Sequence, residues 1–397
     1  MKPGAVDLLV IGAGISGLGL AQMARRYGFK PVIIEASDHI GGAINSHLFQ
    51  TDHGEIWAEL GSHTCYNSYG NLLELLEETG QLDSLVPKLK LRYKMLIGNK
   101  LQSIPSQLSM WELLGVLPRL WTTEKEGHSV EEYFGRIIGT RNFRQVLRPA
   151  LDAVVCQPSG SFPADALFRK KPRRKEVIRS FTGASGLQSF TDGIAEGLDI
   201  RTKSRVIRIE RISDRYLVEI EGGEPVQADR LALAVAPDIA ATLMAGLMPE
   251  LACHLAEIEM SEIDSQAVLV RADRIKFPPL AGIIAQDDDF YSVVSRDPVP
   301  DETYRAFTFH FKPDLLDEVG RDRRIAKVLG VDEEAIVGSA SYRNRLPALR
   351  LGHHQRVEVI DQQLKGQSLG LTGNWFSGVS IEDTLIRSFE ECQRLFV

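Results

Sequence analysis

The stretch VIGAGISGLGLA, residues 10–21, places three glycines at the end of an apolar run near the start of the chain. The run itself, VDLLVI, is rich in branched residues, as in a strand buried on both faces. ISGLGLAQMARRYG, residues 15–28, then predicts a helix ending at a glycine, and KPVIIEA predicts a second buried strand. This β-α-β pattern predicts an α/β fold built on a parallel sheet.

The spacing of Gly12, Gly14 and Gly17 gives each glycine a physical task in such a unit. The first permits a tight turn, the second lets the backbone approach a pyrophosphate, and the third lets helix and strand pack closely. Glu35 follows the second strand, at the distance where a carboxylate accepts hydrogen bonds from a ribose diol. The acid would repel the ribose phosphate of NADP, so the motif predicts a site for another dinucleotide, with a ligand-free turn as the alternative.

A second glycine pair, Gly41-Gly42, follows shortly after this acid. Paired glycines permit another close approach of the backbone to a ligand. We interpret the pair as a contact with the rest of a larger cofactor, which favours FAD over NAD; a simple loop turn is the alternative.

The composition is that of a soluble globular enzyme. A chain of 397 residues exceeds one compact core and predicts two or three domains. The net charge of −7 argues against a nucleic-acid-binding protein. The four cysteines are scattered and form no C-x-x-C, which argues against a disulfide framework and a zinc site and fits a reducing, cytoplasmic setting.

Neither a signal peptide nor a membrane span is expected. The N-terminus lacks a basic region followed by a small-residue cleavage site. The longest later apolar stretch, residues 231–248, is interrupted by Pro237 and Asp238, and a spanning helix needs about 20 uninterrupted apolar residues.

The order of these motifs resembles the FAD-dependent amine oxidase superfamily and, within it, the protoporphyrinogen oxidase family. Ala43 departs from the family pattern, which usually has a basic or polar residue there, so a flavin contact by that side chain is absent. Similar blocks follow along nearly the whole chain: AELGSHTCY (58–66), LRYKMLIGNKLQSIPS (91–106), LRPALDAVVCQPSGSFPADALF (147–168), SFTGASGLQSFTDGIAEGL (180–198), SRVIRIER (204–211), ADRLALAVAP (228–237) and LGLTGNWFSGVSIEDTLIRS (369–388).

The resemblance implies a discontinuous, Rossmann-like FAD-binding domain, a mixed-sheet substrate domain and a helical subdomain. Residues 96–180 show mostly helical spacing and residues 262–345 alternate as in a second sheet, which agrees with that division. The implied ranges are 1–80, 180–260 and 355–397 for the FAD-binding domain, 81–95 and 261–354 for the substrate domain, and 96–179 for the helical subdomain, which could face a membrane.

The resemblance also implies the residues that contact a noncovalently bound FAD. The block 58–66 would pass beside the flavin ring, and the backbone around Val206 would meet the adenine. The implied set is Gly12, Gly14, Ile15, Ser16, Gly17, Glu35, Ala36, Gly42, Ala43, Gly61, Ser62, His63, Val206, Gly373, Asn374, Ser380 and Ile381.

The last block also carries a prediction of its own. LGLTGN predicts a strand that enters a glycine turn, and Ser380 is a candidate N-cap for the helix that follows, with Glu382 and Asp383 in its first turn. The positive end of such a helix would stabilise negative charge on a reduced flavin, and Asn374 could bond the ribityl chain or the pyrophosphate. An ordinary strand-turn-helix is the alternative.

On the substrate side the family places an arginine in the block that contains Arg92, against a substrate propionate. A surface arginine is the alternative.

The basic stretch RKKPRRKEVIR, residues 169–179, could attract an anionic tetrapyrrole or lipid headgroups, or be a solvated loop. Trp111 and Trp121 flank an amphipathic stretch that suits either a membrane edge or burial. His353-His354 has no acidic partner at helical spacing, so no metal site is predicted.

One absence bears on the chemistry. Amine oxidases of this superfamily carry a lysine in the strand that here reads SQAVLVR (265–271), and no lysine lies between Gln266 and Val270. This argues against simple amine oxidation. Cys392 does not match the position of covalent flavin attachment in monoamine oxidases.

The leading hypothesis is therefore an FAD-dependent oxidase that takes hydride equivalents from a reduced tetrapyrrole such as protoporphyrinogen or coproporphyrinogen, with oxygen or a membrane quinone as electron acceptor. The protein would be cytoplasmic or peripheral to the inner membrane, and no catalytic acid or base is nominated. The alternatives are an isoprenoid or carotenoid desaturase, an amine oxidase, a sugar-nucleotide mutase, and a flavoprotein that only binds a partner.

Overall fold

The computed structural model describes residues 6–396. In chain order its strands are β1 (Val6–Ile11), β2 (Pro31–Ile34), β3 (Ser46–Thr51), β4 (Gly54–Glu59), β5 (Cys65–Tyr66), β6 (Val86–Pro87), β7 (Tyr93–Ile97), β8 (Lys100–Ser103), β9 (Ser180–Thr182), β10 (Asp199–Arg201), β11 (Val206–Ile212), β12 (Arg215–Ile220), β13 (Val226–Leu233), β14 (Met260–Arg271), β15 (Gly282–Ala285), β16 (Phe290–Ser295), β17 (Tyr304–Phe311), β18 (Ile336–Pro347) and β19 (Leu369–Leu371).

The α-helices follow the same chain order. They are α1 (Ile15–Arg26), α2 (Gly70–Glu78), α3 (Met110–Val116), α4 (Val130–Ile138), α5 (Thr140–Asn142), α6 (Arg148–Val155), α7 (Gln188–Ala195), α8 (Pro237–Met244), α9 (Pro249–Ala256), α10 (Glu318–Leu329), α11 (His353–Leu364) and α12 (Ile381–Phe396).

The first sheet has the strand order β10-β2-β1-β13-β12-β11, and β19 pairs with the carboxyl half of β13. Strands β10, β2, β1, β13 and β19 run parallel, whereas β11 and β12 add an antiparallel meander. Leu8 and Val10 of β1 pack toward α1, α2, α7 and α12, and Leu9 and Ile11 pack toward α8, α9 and α11. Helices therefore cover both faces, as the apolar run in β1 predicts.

The second sheet has the order β18-β14-β17-β16-β15-β7-β8 and is antiparallel except for the parallel β15–β7 pair. Every residue of β17 is buried, and three of its phenylalanines enter the core of this sheet. Together the two sheets confirm the predicted α/β class, with a Rossmann-like sheet assembled from distant segments and a mixed second sheet.

The helical region follows β8 and precedes β9 in the chain. It has its own small core, formed by α4, α6 and the connecting segments. Its predicted range starts too early, because residues 93–103 form the β7–β8 hairpin at the edge of the second sheet. The other predicted domain boundaries stay predictions.

Candidate functional site

The turn between β1 and α1 is closed so tightly that neither Gly12 nor Gly17 can be replaced without movement. Gly12 has a φ of +105°, and a Cβ added there would lie 2.4 Å from the Ala234 carbonyl oxygen. A Cβ on Gly17 would lie 2.0 Å from the Gly12 oxygen. Ile15 and Ser16 begin α1 directly behind this turn, so its free backbone N–H groups face the space above β1.

The second glycine pair lies beside this turn. Gly41 donates its backbone N–H to the Ala13 oxygen at 2.9 Å, and Gly14 and Gly41 form a bridge between the two loops. A Cβ on Gly42 would come within 3.2 Å of the Gly14 Cα. Both loops thus form one backbone cradle without side chains, which fits an extended dinucleotide.

Glu35 stands at the carboxyl end of β2, at the edge of this cradle. Its Oε2 accepts from the Ala13 N–H and its Oε1 from the Ser37 N–H, both at 2.8 Å. Ser204, two residues before Val206, donates its N–H to the Glu35 carbonyl oxygen at 2.8 Å. The structure therefore brings Glu35, the exposed Ala36 and the start of β11 together, although the predicted contacts of these residues with a cofactor stay a prediction.

The N-terminus of α12 carries the predicted cap. Ser380 Oγ accepts from the Asp383 N–H at 3.1 Å, which is the N-cap geometry. Lys171 Nζ lies 2.7 Å from Asp383 Oδ1 and donates to Ser380 Oγ at 3.0 Å, so the basic stretch reaches this helix end. Gly373 and Asn374 form the turn between β19 and α12.

A cavity of about 670 Å³ opens between the second sheet, the helical region, the segment after β4 and the start of α12. Its walls include Ala150, Val154, Leu167, Phe168, Ile263, Ile284, Val294 and Leu346 on the apolar side. Seven of the predicted cofactor residues also line it: Ala43, Gly61, Ser62, His63, Asn374, Ser380 and Ile381. The remaining predicted residues belong to the cradle, to the neighbourhood of Glu35, or to the turn before Asn374.

The segment after β4 is held against the cavity by buried polar contacts. A Cβ on Gly61 would lie 2.1 Å from the Ala43 oxygen, so these two loops touch. Lys88 Nζ donates to the His63 carbonyl oxygen at 2.7 Å and to Thr64 Oγ1 at 2.9 Å. Burial lowers the pKa of His63 to about 3 and that of Lys88 to about 8, so His63 is neutral at neutral pH.

Four buried polar residues of the second sheet also line the cavity, and none of them was predicted from the sequence. They are Ser265 on β14, Ser292 on β16, His310 on β17 and Asn344 on β18. Asn344 donates to Ser265 Oγ at 3.0 Å, and Ser265 Oγ lies 3.1 Å from His310 Nδ1. Burial lowers the pKa of His310 to about 4. The available signal was a polar side chain among the phenylalanines of a strand, such as His310 in YRAFTFHF.

Arg92 is not brought to the cavity. Its side chain is exposed, while the next residue, Tyr93, lines the cavity, because neighbouring side chains of an extended segment point in opposite directions. The arginine that lines the cavity is Arg169, from the basic stretch. Among residues 6–396 it has no carboxylate partner, whereas Arg174 of the same stretch pairs with Glu77 and Glu176.

His353 is buried and its Nε2 contacts the Trp375 carbonyl oxygen, which accounts for this side chain structurally. Within the described part of the chain, no cluster of three or more His, Cys, Asp or Glu side chains is placed to hold a metal ion.

Comparison with known proteins gives three kinds of similarity. A family model described as flavin containing amine oxidoreductase matches residues 15–268. Polyamine oxidase 3 of Oryza sativa subsp. japonica is 28% identical over 248 residues, which cover 57% of this chain and 51% of the relative. A 15-cis-phytoene desaturase of Solanum lycopersicum is 30% identical over 113 residues, or 28% of this chain and 18% of the relative. The matches therefore span about half of the first relative and less of the second.

Among solved structures, a candidate protoporphyrinogen oxidase from Exiguobacterium sp. 255-15 superimposes with a TM-score of 0.79. It is 18% identical, and the superposition covers 99% of each chain. At this identity the likeness concerns the fold alone.

Proposed function

Because the chain belongs to the flavin-containing amine oxidoreductase family, whose cofactor is FAD, we propose that it oxidises a cyclic, largely apolar substrate of the porphyrinogen type. The observation that carries this proposal is the wall of the cavity. Asp383 is the one carboxylate among the described lining residues, and Lys171 pairs with it. The cavity thus offers no free anion to a cationic amine, and its remaining surface is mostly apolar.

The residues present fit FAD from one end of the site to the other. The side-chain-free cradle at Gly12, Gly14 and Gly42 would hold the pyrophosphate, and Glu35 would accept from the adenosine ribose. When bound, FAD supplies a ring system that accepts two electrons and a proton as a hydride. The N-terminus of α12 would stabilise negative charge at that ring, and the apolar cavity walls would exclude water.

We expect the cofactor to be held without a covalent bond. Cys156 lines the cavity, but burial raises the pKa of its thiol to about 12, so it stays protonated and unreactive. Cys392 is buried inside α12. Oxygen or a quinone would reoxidise the reduced protein.

Amine oxidation is the alternative, supported by the similarity to polyamine oxidase 3. Against it stands β14, which lines the cavity with Ile263 and Ser265 and contains no lysine from Met260 to Arg271. The similarity to a phytoene desaturase supports a second alternative, dehydrogenation of a long isoprenoid.

The proposal is tested with FAD-loaded protein, protoporphyrinogen or coproporphyrinogen, and the fluorescence of the porphyrin product. We expect Arg169→Ala to raise KM about tenfold, because a charge-assisted hydrogen bond to a substrate carboxylate is worth roughly 1.5–3 kcal/mol. Arg92→Ala is the matched control, since this exposed arginine lies outside the cavity, and its KM should be that of the parent.

Three results would contradict the proposal in different ways. A flavin-containing protein that produces no porphyrin fluorescence excludes the porphyrinogen substrate. Turnover of spermidine or spermine supports the amine alternative. A KM increase in Arg92→Ala but not in Arg169→Ala would show that Arg92, and not Arg169, binds the substrate carboxylate.

We further propose that the helical region contacts an anionic lipid surface. Between residues 110 and 121, six large apolar side chains are exposed, with Trp111 at 85% and Trp121 at 78% of their full accessible area. The other four are Met110, Leu114, Leu117 and Leu120. Tryptophans at the rim of an apolar helical surface are typical of membrane-interface segments.

Charge complementarity favours a lipid surface as the occupant. Residues 96–179 contain fourteen Lys and Arg against eight Asp and Glu, a net charge of +6 in a chain of net charge −7. Glu112, the one acidic residue of α3, turns inward, where it accepts from the Arg141 and Asn142 N–H groups. Among residues 6–396, no helix combines the length and apolarity needed to cross a bilayer, so the proposed contact is peripheral.

We expect the parent protein to sediment with phosphatidylcholine vesicles that contain phosphatidylglycerol, and the double variant W111S/W121S to lose at least tenfold in partitioning. The control L315S/V319S removes two other exposed apolar side chains, one before α10 and one in its first turn, and should bind as the parent does. Equal sedimentation of parent and W111S/W121S would overturn the proposal. Self-association without lipid, abolished by W111S/W121S, would assign the surface to a second copy of the chain instead.

A further inference from the structure

Two neutral imidazoles reach the cavity from different parts of the fold: His63 from the segment after β4 and His310 from β17. They lie close enough that a charge on His310 would lower the pKa of His63. The hydrogen bonds around each ring determine which nitrogen carries its proton. They place the proton on Nδ1 in His63 and on Nε2 in His310.

The network at His310 starts from the amide of Asn344. Both amide hydrogens are used, one on the Leu60 carbonyl oxygen at 2.8 Å and one on Ser265 Oγ at 3.0 Å. Among residues 6–396 the hydrogen of Ser265 Oγ has no acceptor other than His310 Nδ1, which lies 3.1 Å away, so the hydroxyl donates to the ring. His310 Nδ1 is therefore the acceptor, and the neutral ring carries its proton on Nε2.

The network at His63 starts from the hydroxyl of Thr64. This hydroxyl donates to the His63 carbonyl oxygen at 2.7 Å and accepts from Lys88 Nζ at 2.9 Å. Its single hydrogen is thus in use, so the 3.0 Å contact with His63 Nδ1 is a donation from the ring. The neutral His63 ring therefore leaves a lone pair on Nε2.

Neither Nε2 atom has a hydrogen-bond partner among residues 6–396, although both side chains line the cavity. The low pKa values of both rings, caused first by burial, keep them neutral at neutral pH. The cavity thus presents one fixed acceptor, His63 Nε2, and one fixed donor, His310 Nε2–H.

We infer that His63 and His310 form a polar subsite for a neutral molecule that carries both an N–H donor and a carbonyl or imine acceptor, and that the subsite rejects an ammonium group. An ammonium has donors only, so it would leave the His310 donor unpaired inside the cavity. It would also place a second positive charge near Lys88, which holds the His63 segment. The inference rests on the proposed function in two respects: the same cavity receives the substrate, and the flavin ring beside the His63 segment leaves both Nε2 atoms free.

The two rings can be tested in the resting holoenzyme, without turnover. Nitrogen-15 NMR of histidine-labelled protein, assigned with H63Q and H310Q, should show His63 protonated on Nδ1 and His310 protonated on Nε2. Ser265→Ala removes the hydroxyl that donates to His310 Nδ1, so it should allow the other His310 tautomer to appear while His63 keeps its own. The opposite tautomer at either ring in the parent protein would overturn the inference.

Ligand selectivity is tested with two probes of equal ring size, the neutral lactam δ-valerolactam and the cation piperidinium, by calorimetric titration of the holoenzyme. We expect the lactam to bind at least tenfold more tightly. H310L should weaken lactam binding about tenfold, whereas H310Q, which retains an N–H donor, should largely restore it. The control is H354L. His354 is exposed and lies outside the cavity, so this variant should bind the lactam as the parent does.

Equal or tighter binding of piperidinium, lactam binding that is unchanged in H310L, or binding of neither probe would each overturn the inference. These outcomes are independent of the proposed reaction, because a protein that oxidises no porphyrinogen can still discriminate the two probes.

Discussion

Gly17→Ala should yield a protein that is purified without FAD. The added Cβ would lie 2.0 Å from the Gly12 carbonyl oxygen and 3.2 Å from the Ala234 Cβ. The first neighbour is backbone and cannot rotate away, so α1 must move off β1 and the turn must open. Overpacking of this kind costs about 1–3 kcal/mol, and the opened turn no longer places its N–H groups on the pyrophosphate. We expect the affinity for FAD to fall at least about 100-fold, which corresponds to roughly 2.7 kcal/mol.

The matched control is Gly135→Ala in α4, where the added Cβ meets no atom within 4 Å. Alanine at a helix interior should preserve or slightly raise stability, so this variant should remain yellow. Flavin absorbance of the purified proteins and fluorescence titration of the apoproteins measure the difference, and circular dichroism reports whether Gly17→Ala is folded. Parent-like FAD affinity in Gly17→Ala would show that the turn does not hold the cofactor.

The second large effect is expected from Glu59→Gln, as a change in how stability depends on pH. Glu59 ends β4, where it is buried and accepts from the Leu187 N–H at 2.8 Å and from Ser46 Oγ. Burial raises the pKa of its carboxyl from 4.5 to about 7. The folded state therefore binds this proton more tightly than the unfolded state, and the resulting stability is present below pH 4.5 and lost as the pH rises through about 7.

Glutamine is neutral, like the protonated carboxyl of Glu59. Glu59→Gln should therefore remove the loss of stability that the parent shows as the pH rises through about 7. Near pH 8 we expect the variant to be more stable than the parent by about 2 kcal/mol, less than the full effect because Lys88 loses an electrostatic partner. Near pH 5 the two proteins should unfold at similar denaturant concentrations. Glu55→Gln, on the exposed part of the same strand, is the control and should follow the parent's pH profile. A variant less stable than the parent at pH 8 would show that the ionised carboxylate is needed.

The parts of the fold that were predictable from the sequence are those encoded locally. The β1–α1–β2 unit and the Ser380 cap each depend on residues within a few turns of one another. Gly12 adopts a positive φ that other residues rarely adopt, and the Ser380 hydroxyl accepts from a backbone N–H at the start of its own helix. The resemblance to a family then supplied the order of the distant segments.

The polar interior of the cavity was not predictable, because it depends on the register of distant strands. Ser265 meets His310 only through the pairing of β14 with β17, and Asn344 arrives from β18 on the other side of β14. Whether Arg92 reaches the cavity likewise depends on which face of its extended segment is turned toward the cavity. A shift of that segment by one residue would exchange the positions of Arg92 and Tyr93. For Trp111 and Trp121 the periodicity left burial and exposure equally open, and the structure leaves both exposed.

The pairing of β1 with β13 joins residues more than two hundred positions apart, and β19 and α12 complete the same layer from the far end of the chain. During synthesis, β1 and β2 therefore emerge long before their partners and wait as an open sheet edge, a state prone to wrong association. The layer around the nucleotide site is therefore complete only after α12 has left the ribosome. We consequently expect FAD to bind chains that have been synthesised through α12 rather than shorter nascent ones.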